Sequence, residues 1–175
     1  MSQSRSLLVL GIVVILAIVV VGVPFIEVEI QIPYTETENK QLTIGSVTSQ
    51  TLESNHYLHW SENLIEGMDV VFSFSTTDNV DAYIFTPNQY NEFTQSLWAD
   101  NSLKVLYRVS SGMIGYYVPV SGTYYFVITV SPSLFGPDRV EINQCGIVAS
   151  WEEEVTKYRT ETQMITLLEK ITGNY

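Results

Sequence analysis

Side chains able to do chemistry are few in this chain and widely spaced. The two histidines, His56 and His59, stand i, i+3 in the segment NHYLHW, a spacing that suits metal ligation on a helix. Zinc or copper sites need three or four good ligands, and the single thiol, Cys145, is followed by GIVASWEEE, which supplies neither histidine nor methionine. Cys145 sits in an expected strand without a flanking cation to lower its pKa, so it reads as a small buried hydrophobe. No G-x-S-x-G, G-x-G-x-x-G or phosphate-binding loop is present. Asp78, Asn79 and Asp81 offer three oxygens to calcium at a loop-to-strand junction; calcium wants six to eight, and Asp and Asn also favour turns for their own local hydrogen bonds. The expectation is a protein without catalytic residues, resident metal or cofactor.

Aromatic residues are the other chemistry on offer. Tyr116 and Tyr117, then Tyr124 and Tyr125, are adjacent pairs, and neighbours on a strand must point to opposite faces. One of each pair is therefore expected outside, where tyrosine and tryptophan can stack on a sugar or anchor a protein partner. Trp60, Tyr117, Tyr125 and Trp151 are the interaction candidates on this reasoning.

The elements that must carry these residues read as strands. Ile26, Val28, Ile30 and Ile32 alternate with Glu27, Glu29 and Gln31 until Pro33, and strict alternation marks a strand with one wet face. Seven further runs share the character: Gln41–Val47, Met68–Ser75, Val80–Thr86, Lys104–Val109, Met113–Val118, Thr123–Val130 and Arg139–Val148. Turn chemistry such as Thr77-Asp78-Asn79, Thr86-Pro87-Asn88 and Ser110-Ser111-Gly112 separates them. Short strands at close spacing predict an all-β, jelly-roll-like antiparallel sandwich over residues 26–150.

Residues 151–175 change character. Ser150 and Glu153 form an S-x-x-E capping box, with Glu152, Glu153 and Glu154 in the acidic first turn that a helix favours. Lys170 and Gly173 supply stop signals, so a short C-terminal helix is expected over Gln163–Ile171. The β-branched Thr156, Thr160, Thr162 and Thr166 leave the first half of this segment open between helix and edge strand, packed on the sandwich in either case.

Ahead of the strands, Leu7–Phe25 is a run of nineteen uncharged residues, about 28 Å as a helix, which matches a bilayer's hydrocarbon core. Arg5 is the only charged residue before it, while Glu27, Glu29, Glu36 and Glu38 follow before any cation. The positive-inside rule then places residues 1–6 in the cytoplasm, the retained anchor at 7–25 and everything after it outside the cell membrane. A cleaved signal peptide and a pilin-like filament helix are the competing readings; the run is longer than a usual signal core and no A-x-A-like site follows it. The 175 residues carry 8 Lys+Arg against 19 Asp+Glu, a net charge of −11. Eight scattered cations cannot form the basic face that phosphate backbones require, which excludes nucleic acid as a partner.

The sequences Met68-Asp-Val-Val-Phe-Ser-Phe-Ser75, Val80-Asp-Ala-Tyr-Ile-Phe-Thr-Pro87 and Ser121-Gly-Thr-Tyr-Tyr-Phe-Val127 come in an order that resembles the GOLD (Golgi dynamics) domain and similar sandwiches of archaeal and bacterial membrane-anchored surface proteins. The resemblance covers roughly residues 65–142. Eukaryotic secretory members carry a cysteine pair and a C-terminal membrane helix, whereas this chain has one cysteine and an N-terminal apolar run. What the resemblance implies is a fold and a role in extracytoplasmic protein contacts, not cargo-receptor function. The expected function is thus that of a non-catalytic accessory subunit touching other membrane or envelope proteins. Self-association stays open, and a surface module for carbohydrate or calcium, or a filament subunit, is the alternative.

Overall fold

The computed structural model describes residues 24, 26–97, 101–130 and 138–173. The expected anchor at 7–25 falls, apart from Pro24, outside the described residues; among those described, no helix is long and apolar enough to cross a membrane. The architecture is all-β, built from β1 (Ile26–Glu53), β2 (Tyr57–Leu64), β3 (Asp69–Phe85), β4 (Lys104–Tyr117), β5 (Gly122–Thr129) and β6 (Arg139–Ile165), with α1 (Pro87–Ser96) and α2 (Leu167–Thr172). The chain divides into two units, one comprising residues 38–153 and the other residues up to 37 together with 154 onward.

The strands hydrogen-bond along one path, β1-β6-β3-β5-β2, with β4 on the other edge of β3. In the larger unit β3 is the centre. Its first half pairs with β6 (Asp69↔Ser150 to Phe74↔Cys145), its second half with β5 (Asp81↔Thr129 to Phe85↔Tyr125), and β4 runs antiparallel along both halves. Two runs expected as separate strands are therefore one strand, and the same holds for β4 and β1. The Thr77–Asn79 and Ser110–Gly112 signals mark a shared bend and not chain reversals. There the β3–β4 register shifts between Ser75 and Val80, and Thr76 Oγ1 donates to the Ser110 carbonyl at 2.9 Å. Bulges and bends of this kind let a long strand curl its sheet over one core.

Alternation explains which side chains fill that core. Val70, Phe72 and Phe74 from the first half of β3 and Val80, Ala82 and Ile84 from the second are all buried with Ile114, Phe126, Ile128, Cys145 and Ile147. Each fully buried large apolar side chain contributes about 1.5–3 kcal/mol of transfer free energy. The opposite face of the second half is also covered, because α1 lies on it: Tyr83, Phe85, Phe93 and Val127 make a second buried cluster. Helix α1 was not expected from Thr86-Pro87-Asn88, read as a turn. Its start is a capping box in which the Thr86 hydroxyl and the Gln89 side chain satisfy each other's backbone, with proline in the first turn.

The smaller unit holds the N-terminal part of β1 and the C-terminal part of β6, joined by Gln31 Nε2 donating to Thr160 Oγ1 at 2.7 Å and a Lys157–Glu36 ion pair at 2.9 Å. Pro33 does not stop β1, since an edge strand tolerates a missing amide donor. The capping box at Ser150 and Glu153 is overruled: β6 continues as strand to Ile165 because its backbone groups are taken by β1 across the sheet. The helix comes later and is shorter than Gln163–Ile171, capped by Thr166 and Glu169 and ended by Gly173 at φ 69°.

Candidate functional site

On the larger unit a cleft of about 570 Å³ lies where three parts of the chain meet. Ile65, Glu66, Gly67 and Met68 come from the β2–β3 turn, Asp69 from the start of β3, Ser150, Trp151 and Glu152 from β6, and Asn39 from β1. Three hydrogen bonds tie the turn to the segment that follows β4. The Glu66 amide donates to Ser121 Oγ at 2.9 Å, the Gly67 amide to the Val118 carbonyl at 3.0 Å, and the Val118 amide to the Met68 carbonyl at 2.8 Å. Gly67 has φ +92°, a conformation that side-chain-bearing residues rarely adopt, and the space a β-carbon would take lies 3.9 Å from the Tyr117 hydroxyl. Tyr117 thus stands beside the turn, 60% exposed, and is opposite Asp69 in the β3–β4 register as Ser150 is in the β3–β6 register.

The lining combines the indole of Trp151, half-buried because it also packs on the core, three carboxylates (Glu66, Asp69 and Glu152), two neutral hydrogen-bonding side chains and no cation. An indole face attracts a cation through its quadrupole, and carboxylates at the rim add charge-assisted hydrogen bonds. Such a cleft suits a lysine or arginine side chain, or a hydroxyl-rich ligand, and holds no nucleophile–base pair.

Of the four interaction candidates, the structure brings Trp151 and Tyr117 to this region and sends the other two elsewhere. Trp60 faces inward opposite Phe126, half-buried, its ring edge-on to Phe72 at 6.5 Å. Tyr125 lies under α1, its ring stacked on Tyr90 at 4.1 Å with the planes 5° apart. The tyrosine pairs split faces as alternation requires: Tyr116 is half-buried against Tyr124 at 5.6 Å while Tyr117 is exposed. The second pair leaves neither ring free, because α1 covers the outer face.

The calcium candidates do not converge. Asp78 and Asn79 are exposed at the bend, with Asp78 Oδ1 accepting from the Asn79 amide at 2.7 Å, whereas Asp81 is buried and its Oδ1 accepts from the Arg108 amide at 2.8 Å. Asp81 is a structural acceptor for a residue in the left-handed region, Arg108 at φ 52°. Among the described residues no group of three His, Cys, Asp or Glu is placed to hold a metal ion. His56 lies in the β1–β2 turn and His59 on β2 beside Tyr57 and Tyr90, so their helical spacing has no helix under it. Cys145 is buried, and that burial pushes its thiol up to about 12.

Sequence reasoning missed Glu66, Asp69 and Glu152 as a set. The only local signal was the Glu66-Gly67 turn, since the partners come from strands far apart in sequence.

No family model matches this chain, and no curated protein matches it. Among solved structures it is similar to PliG of Aeromonas hydrophila, a periplasmic inhibitor of g-type lysozyme, at 12% identity and a TM-score of 0.37, over 68% of this chain and 86% of that one. At that score the likeness decides nothing about function.

Proposed function

We propose that this chain is a single-pass, membrane-anchored protein whose sandwich-like extracytoplasmic domain makes protein–protein contacts as a non-catalytic accessory subunit of a membrane or envelope assembly. The observation that carries the reading is the cleft, in which Trp151 and three carboxylates meet without a cation. Its occupant on this reading is a basic side chain of the partner. The nineteen-residue apolar run supports the anchor, and the surplus of acidic residues beyond it, nineteen against seven cations, supports a cationic partner. Asn39 and Ser150 favour a second occupant, a neutral saccharide stacked on Trp151.

The test is gentle detergent extraction of the full chain, native-size separation and mass spectrometry of co-migrating proteins, for wild type and for Trp151→Ala and Glu152→Lys. The expected result is a heteromeric complex that both variants and high salt weaken. A monomer in every case refutes the reading, and retention on immobilised neutral glycans that Trp151→Ala abolishes would replace it with the saccharide.

A further inference from the structure

Helix α2 ends the smaller unit with two apolar side chains unused. Leu168 and Ile171 are 46% and 73% exposed, and at i, i+3 they share one face of the helix. Met164, 47% exposed, precedes it on β6. The remaining polar residues are occupied otherwise: the Glu169 carboxylate accepts from the Thr166 amide at 2.8 Å and from the Thr166 hydroxyl at 2.9 Å, and Lys170 stands in the last turn, off the Leu168/Ile171 face.

The place of this helix gives the apolar face an occupant. The Gln31–Thr160 and Glu36–Lys157 contacts show the two strands running in opposite directions, so the start of β1 lies beside the end of β6. Ile26, the first residue of β1, follows directly on the apolar run that ends at Phe25. If that run spans the hydrocarbon core, Ile26 leaves the bilayer at its surface, and α2 begins next to it.

We infer that α2 is an interfacial foot, which lays Leu168 and Ile171 into the headgroup–acyl boundary of the same bilayer that holds residues 7–25. Short amphipathic helices bind in this manner through their apolar face. The inference rests on the anchored reading above, to which it adds a second point of attachment after β6. Two attachments on neighbouring strands would fix the angle at which the smaller unit meets the membrane.

The experiment uses the full chain in phosphatidylcholine liposomes, with Ile171→Cys or Lys170→Cys carrying a nitroxide. Labelling without denaturant spares the buried Cys145. Collision of each label with oxygen, which concentrates in lipid, is compared with collision with a water-soluble nickel chelate, and carbonate extraction is run on the same samples. The expected result is carbonate-resistant protein whose label at 171 shifts toward oxygen while the label at 170 stays with the chelate. Carbonate-resistant protein with both labels equally accessible to the chelate overturns the foot and leaves the anchor standing. Protein released by carbonate overturns both.

Discussion

Replacing Gly45 with alanine tests whether Trp60 belongs to the core or to a docking surface. Gly45 lies on β1 where the strand passes over the indole of Trp60, and a β-carbon there would sit 2.5 Å from Nε1 and 2.8 Å from Cγ, closer still to Cδ1. The ring cannot swing away freely, since it packs edge-on against fully buried Phe72 and lies opposite Phe126. Overpacking of this kind costs about 1–3 kcal/mol, offset by about 0.5–1 kcal/mol because glycine loses more backbone freedom than alanine on folding. The net destabilisation should be about 1–2 kcal/mol, and at about 2–4 °C per kcal/mol for a chain of this size the melting temperature should fall by about 2–8 °C. Urea unfolding of the full chain in detergent, followed by far-ultraviolet circular dichroism, measures it. In a Trp60→Leu background the added methyl group has room, so the steric cost of Gly45→Ala should vanish and leave only the backbone gain of about 0.5–1 kcal/mol. The double-mutant cycle should then give a coupling equal to the steric term, about 1–3 kcal/mol. Equal destabilisation in both backgrounds, or a Gly45→Ala protein as stable as wild type, refutes the packing argument and returns Trp60 to the list of docking residues.

Asp81→Ala should cost about 2 kcal/mol in denaturant midpoint analysis, because it leaves the Arg108 amide of the bend without the carboxylate that accepts from it at 2.8 Å. Asp81→Asn, which keeps an acceptor oxygen, should cost less than Asp81→Ala; a rise in melting temperature with calcium in wild type that Asp81→Asn removes would show the carboxylate serving a metal instead. Cys145 should resist iodoacetamide at pH 8.5 until denaturant is added, since its thiol is buried and raised from an ordinary value of 9.0 to about 12. The sign follows from linkage. Between pH 9 and 12 the unfolded thiol ionises and the folded one does not, so stability present below pH 9 declines as pH rises to about 12, and Cys145→Ala should flatten that part of the profile in pH-dependent urea melts.

Local sequence was enough wherever one face of a strand decided the outcome. The alternation in Met68–Ser75 specified a strand and put Met68, Val70, Phe72 and Phe74 on its inward face, and those residues fill the core. The stop signals Lys170 and Gly173 likewise located the end of α2. Helix α1 was legible in principle, from Thr86, Pro87, Gln89 and the spacing of Tyr90, Phe93 and Leu97, but its proline and asparagine carry turn signals of equal strength.

Other outcomes depended on what lies across the sheet. Ser150 and Glu153 carry a helix start that never forms, because β6 is hydrogen-bonded to β1, and tertiary pairing outweighs a local propensity worth fractions of a kcal/mol per residue. Trp60 and Trp151 look alike as residues and both pack, half-buried, against the same core; what separates them is that Trp60 faces Phe72 and Phe126 while Trp151 also lines a cleft with Glu66 and Asp69. Periodicity assigns a side chain to a face of its own strand. Which strand, turn or helix then covers that face is set by long-range register and by the bend in β3 and β4, and only folding brings Asn39, the 65–69 turn and residues 150–152 together.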